Sequence, residues 1–119
     1  MKILLHDIAH ARSGDKGNRL NIGVFAYRAE HWPILLEQVT EERVLAIYRH
    51  RGATRVVRHV LENIHALNFV IDDLLEGGVN SSLNVDGHGK TNSYRLLGLE
   101  VDLPESLAAS ANVRREIRP

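Results

Sequence analysis

The segment ARSGDKGN, residues 11–18, gathers Arg12, Ser13, Asp15, Lys16 and Asn18 around Gly14 and Gly17. Two cations, a hydroxyl and an amide beside glycines can hold an anion. Glycine lets a bound group approach the main chain, and successive N–H groups can form an anion-binding nest. Arg12 and Lys16 would add charge and Ser13 a directional hydroxyl. The glycine spacing and the ending are not those of a Walker loop. The competing account is a long hairpin loop in which Asp15 pairs with Arg12 or Lys16 at the surface.

A second glycine-rich stretch, EGGVNSSLNVDGHGKTN (residues 76–92), carries Ser81, Ser82, Asp86, His88 and Lys90. Gly77 and Gly78 have a sufficient reason as a helix C-cap, and Asp86–Gly89 has the composition of a hairpin turn. Asp72, Asp73 and Glu76 could form a magnesium-type carboxylate pair, but a solvated face or a partner Arg or Lys ranks ahead as their account. The seven histidines offer no HxH or HExxH pattern. His6 and His10, on one strand, would share a face some 13 Å apart, so no zinc site is expected. No GxSxG nucleophile elbow supports a Ser–His–Asp triad. No catalytic residue, metal or cofactor is assigned.

The elements that would position these residues follow from periodicity. Residues 2–9 (KILLHDIA) read as a strand, and in 20–27 (LNIGVFAY) Leu20, Ile22, Val24 and Ala26 point one way while Asn21, Gly23, Phe25 and Tyr27 point the other. The two are expected to pair through a loop at 10–19. Pro33 suits a first helical turn for PILLEQV. Thr40 is the N-cap of EERVLAIYRH, whose apolar stripe is Val44, Ile47 and Tyr48 and which Gly52 ends. Residues 54–61 read as a strand, with a helical alternative open. Asn63 caps a predicted helix over 64–75, with Ile64, Leu67, Ile71, Leu74 and Leu75 on one face. SLNVDGHGKTNSY is a predicted hairpin and RLLGLEVDL (95–103) the last strand. Short strands joined partly by hairpins imply an α+β fold: two helices packed on one face of a mostly antiparallel sheet.

The whole chain sets outer bounds. Its 119 residues suit one domain, expected over 1–103, and 44% apolar and 25% charged residues are globular values. Fifteen Lys and Arg balance 15 Asp and Glu, which argues against general binding to nucleic acid or to a membrane surface. No cysteine means no disulfide framework and no thiol nucleophile. No signal-peptide pattern and no membrane-length apolar run is present, so a cytoplasmic location is expected. The polar tail 104–119 would fray alone. It is expected to be ordered by a neighbouring subunit in a homo-oligomer, with Arg114, Arg115 and Arg118 against the acidic end of helix 64–75.

AHARSGDKGNRLNIGVFA and LNFVIDDLLEGGVNSSLNVDGHGKT together resemble the AtuA-like ferredoxin-fold domain, named after acyclic terpene utilisation proteins. RSGDKGN (Arg12–Asn18) is the most specific part. Leu67–Phe69, Gly77-Gly78, Ser82-Leu83, Asp86 and Gly89-Lys90 support it in order and spacing. The resemblance runs over about residues 3–103 and does not take in the larger N-terminal domain common in that family. It implies a ferredoxin-like two-layer sandwich and a setting in breakdown of branched or terpenoid acyl-CoA compounds. If both polar stretches are family signatures, bare turns explain them less well. A joint ligand site of Arg12, Ser13, Asp15, Lys16, Asn18, Ser82, Asp86 and Lys90 is then expected.

Two functions compete. In the first, the chain is a binding or accessory module, alone or with a larger AtuA-like protein, that holds an anionic small molecule or acyl-CoA at the 12–18 loop. In the second, it is a hydratase- or lyase-like enzyme on an acyl-CoA or carboxylate, with Lys16 or His88 as general acid or base and Arg12 as carboxylate clamp. Without a triad, metal set or cofactor fingerprint, the first ranks ahead.

Overall fold

The computed structural model describes residues 1–16, 19–73 and 93–110, with the main chain alone at 15, 16 and 108–110. Six strands and two α-helices are named in chain order: β1 (Lys2–Leu4), β2 (Ala9–Lys16), β3 (Arg19–Ala26), α1 (Trp32–Gln38), α2 (Glu41–Tyr48), β4 (Arg55–Leu61), β5 (Ala66–Asp72) and β6 (Glu100–Asp102). Residues 93–97 are also helical. A four-stranded sheet runs in the order β2-β3-β5-β4 with every neighbour antiparallel, and β1 pairs with β6 in a separate two-stranded ladder.

The alternation expected of β3 holds. Leu20, Ile22 and Val24 are buried against Leu67, Phe69 and Ile71 of β5, Val56 of β4, Leu35 of α1 and Val44 and Tyr48 of α2, all within one core. Two helices on one face of an antiparallel sheet make the fold α+β and ferredoxin-like, as expected.

Helix boundaries follow local chemistry. Pro33 opens α1, where its missing N–H costs nothing. Thr40 Oγ1 accepts the Arg43 N–H at 3.2 Å as the N-cap of α2. Gly52 takes a left-handed φ of 102° and ends the following turn. Gln38 pairs with the main chain of Asp102 in both directions at 2.7 Å, and Arg43 reaches Glu100 O at 2.6 Å, so the helices cap the outer edge of β6. Burial pushes the Tyr48 phenol pKa up, while Arg95, Arg51 and a hydrogen bond from the Leu96 main chain oppose that shift.

Four expectations change. Residues 2–9 are not one strand: Asp7 folds back to accept the Leu4 N–H at 3.2 Å, making a 3-10 turn at Leu5–Asp7. His6 and His10 therefore do not share a strand. The partner of β3 is the next segment, since ARSGDK is itself β2, in register from Ala9↔Ala26 to Lys16↔Arg19. Within the helix expected over 64–75, residues 66–72 form β5 instead. His65 turns left-handed at φ 52°, and Leu67, Phe69 and Ile71 then bury alternately. The last strand is only Glu100–Asp102, because residues 93–97 are helical with Leu96 buried.

The predicted hairpin turn at 86–89, Leu74, Leu75, Glu76, the Gly77-Gly78 cap and the tail arginines lie outside the described residues. Among the described residues of the tail's expected docking site, Asp72 ends a strand rather than a helix.

Candidate functional site

Because the helices cover one face of the four-stranded sheet, strand alternation assigns the remaining residues to the other face. The register lays them out in cross-strand rows. His10, Phe25, Ala66 and Leu61 form one row, and Arg12, Gly23, Asn68 and His59 the next. Gly14, Asn21, Val70 and Val57 follow, and Arg19, Asp72 and Arg55 form the last, with the main chain of Lys16 beside Arg19. His10, Arg12, Arg19, Asn21, Arg55 and His59 are exposed. Successive rows are about 7 Å apart along the strands.

The charge on this face is unbalanced. Among the described side chains, Arg12, Arg19 and Arg55 are opposed by Asp72 alone. Asp72 lies opposite both Arg19 and Arg55 and takes the Arg19 Nε–H at 2.7 Å. The floor between the rows is polar and low: Asn21 donates to Asn68 across the sheet at 3.3 Å, and Gly23 brings no side chain. The ring of Phe25 lies against Gly23, where an added Cβ would come within 3.0 Å of it. His10 stacks on Phe25, ring centroids 5.1 Å apart and planes 13° from parallel.

The expected site residues divide accordingly. Arg12 is exposed on this open face, whereas Ser13, the next residue along β2, is half-buried and opposite Ile22 on the helix-covered side. Asp15 and Lys16 are the last residues of β2, opposite Leu20 and Arg19. Asn18, Ser82, Asp86, His88 and Lys90 lie outside the described residues. The 12–16 segment is thus a strand rather than a loop. Main-chain N–H groups of Arg12 and Gly14 that a nest would aim at a ligand belong to residues paired with β3.

Sequence reasoning did not find His10, Arg19, Asn68, Arg55 or His59 as one surface. The signal was half present, since Asn21, Gly23, Phe25 and Tyr27 were already assigned to one side. What hid the rest was reading β5 as a helix, which removed the strand that carries the face across to β4.

Other polar groups have structural work. A groove of about 430 Å³ is lined by Thr40, Glu41, Glu42, Arg58 and Val60. Its Arg58 donates to Leu36 O and Val39 O, both at 2.9 Å, and the Arg58 main-chain N–H donates to Glu41 at 2.7 Å. That last bond also blocks the outer edge of β4. Thr54 donates to the Asp73 carboxylate, and Asp72 faces arginines, so the carboxylates weighed as magnesium ligands are engaged where described. Among the described residues, no cluster of three or more His, Asp or Glu could hold a metal, and no helix is long and apolar enough to cross a membrane.

His31 is buried at the start of α1, its Nε2 3.9 Å from Glu30 Oε2. Burial holds its pKa below the ordinary 6.5; Glu30 opposes that shift and Arg28 adds to it.

The model of one protein family, the AtuA ferredoxin-like domain, matches residues 3–102. No curated protein and no solved structure matches the chain. The matched span takes in the four-stranded sheet, both helices and the β1–β6 ladder almost to its ends, and the chain belongs to the AtuA ferredoxin-like domain family.

Proposed function

We propose that this chain is a binding or accessory module that holds an anionic small molecule on its open sheet face, in the breakdown of branched or terpenoid acyl-CoA or carboxylate compounds. The observation that supports this reading is the excess of Arg12, Arg19 and Arg55 over Asp72 on a face the helices leave uncovered. Guanidinium groups form paired, charge-assisted hydrogen bonds with carboxylates and phosphates, which a neutral ligand cannot match. Arg12 is the principal contact, and Lys16, at the end of the same strand, adds charge.

Calorimetric titration with a panel of CoA thioesters and dicarboxylates tests it. Arg12→Ala and Lys16→Ala each weaken anion binding about tenfold, worth ~1.4 kcal/mol, with the melting temperature nearly unchanged. His88→Ala has a much smaller effect. If no anion binds the wild type below millimolar concentration, the charges of this face are scaffolding.

A further inference from the structure

The basic face has an aromatic end. His10 is exposed and stacks on half-buried Phe25; Tyr27, just beyond β3, stands 5.3 Å from His10 with its plane tilted 32°. Tyr27 is 50% exposed. These rings lie outside the core, whose aromatic members are Phe69, Tyr48 and Trp32. One row along β2 from His10 stands Arg12. Beside it the Phe25 ring covers Gly23, and beyond the ring Asn21 and Asn68 join their amides across the sheet. Rings, guanidinium and amide floor thus follow one another within about 14 Å along the sheet.

We infer that this face binds a nucleotide, its base stacked on the His10–Phe25–Tyr27 rings and its phosphates held by Arg12, an inference that rests on the anion-binding reading above. Bases stack on aromatic rings irrespective of sequence, and the Arg fork matches phosphate oxygens. The Asn21–Asn68 amides supply donors and acceptors to the sugar or base edge. Arg19 and Arg55, two rows further on, attract the anion and take terminal phosphates. The nucleotide is an adenine nucleotide, either free or the handle of a coenzyme A thioester, since both present an adenine base and a 5′-diphosphate.

Two other occupants fit less well. A second copy of the chain, set face to face, would bring two sets of three arginines together against one aspartate each. A single-stranded nucleic acid needs stacking platforms for successive bases along a sustained basic track. Here the rings sit at one end only, and the chain as a whole carries no net charge.

The test is calorimetric titration of the full chain with ADP, coenzyme A, pantetheine and inorganic pyrophosphate, using wild type, His10→Ala, Phe25→Leu and Arg12→Ala. Saturation-transfer NMR on the base protons accompanies it. ADP and coenzyme A should bind and pantetheine should not. His10→Ala and Phe25→Leu should weaken ADP about tenfold and leave pyrophosphate unchanged, whereas Arg12→Ala should weaken both. His10 is exposed, so that variant keeps the test intact if Phe25→Leu fails to fold. Coenzyme A binding much tighter than ADP supports the inference and identifies the coenzyme as the source; equal affinities support it with a free nucleotide as the source. Pyrophosphate binding as tight as ADP, with the ring variants silent, overturns the nucleotide and leaves an anion site. Absence of binding by every anion removes both readings. An oligoadenylate bound far more tightly than ADP, or a dimer broken by Arg12→Ala, assigns the face to another occupant and overturns the inference.

Discussion

Phe25 lies over Gly23: a methyl built on the glycine would stand 3.0 Å from Phe25 Cε1 and 3.2 Å from Cζ. A glycine in a strand interior weakens the strand by about 0.5–1 kcal/mol relative to alanine, and here its absent side chain makes room for a ring. The contact lies at the outer end of a half-buried side chain, so the ring can swing aside. Gly23→Ala is therefore expected to change unfolding free energy by less than ~1 kcal/mol, because the gain in the strand offsets the displaced ring. The His10–Phe25 stack is what suffers. NMR should show the ring-current shifts of the His10 protons collapse in Gly23→Ala, while a variant that keeps them would mean the ring does not rest on the glycine.

Asp72 is the acid among the described side chains of the basic face. Its pair with Arg19 joins a side chain 64% exposed to one 20% exposed, in a setting where exposed ion pairs contribute ~0.2–1 kcal/mol. Asp72→Asn should cost no more than that in denaturant unfolding. It should also tighten anion binding about two- to threefold at low salt, an advantage that shrinks as ionic strength rises. Weaker binding by Asp72→Asn would show that the carboxylate positions Arg19 rather than opposing the ligand.

Stability should fall in mild acid because of His31. Its native pKa lies below the unfolded value of 6.5, so between the two the unfolded chain binds more protons. The contribution is whole above pH 6.5 and is lost as pH falls toward the native pKa. Urea midpoints between pH 5 and 8 should show this slope in the wild type, and it should be reduced in His31→Gln. An equal slope in both would place the acid sensitivity elsewhere.

Thr40→Ala tests the junction of the two helices. The hydroxyl satisfies the Arg43 N–H, which otherwise has no intrahelical partner in the first turn of α2. Loss of about 1 kcal/mol is expected, with Thr40→Ser recovering most of it. A loss below a few tenths would mean that water replaces the cap.

The parts of the fold legible in the sequence are those where one local rule acts alone. Leu20, Ile22 and Val24 alternate without competition, and Thr40, Pro33 and Gly52 punctuate the helices by backbone chemistry that needs no neighbour. Misreadings arose where two rules overlap or where partners override propensity. Ile64, Leu67 and Ile71 satisfy helical spacing, but Leu67, Phe69 and Ile71 satisfy period two, and pairing with β3 on one side and β4 on the other decides for the strand. Ser13, Gly14 and Asp15 have poor strand propensity, and their extension is imposed by β3. Arg12 was legible as a candidate from its type alone, and the structure places it exposed on the open face. Its neighbours on the open face were not, because a sheet surface is assembled from strands far apart in sequence.

The β1–β6 ladder ties Lys2 to Asp102, and the Met1 ammonium and the Leu103 N–H extend it with bonds of 3.0 and 2.8 Å. Closing a loop of that length requires the central sheet to have gathered the intervening chain first. The β2–β3 and β4–β5 hairpins involve near neighbours and form on a faster timescale. The ladder should therefore zip last during folding and open first in native-state hydrogen exchange, with Ile3 and Val101 expected to lose protection together while Ile22 and Phe69 hold theirs to global unfolding. Kinetic lifetime against proteolysis should then depend on the residue pairs of a ladder separate from the four-stranded sheet.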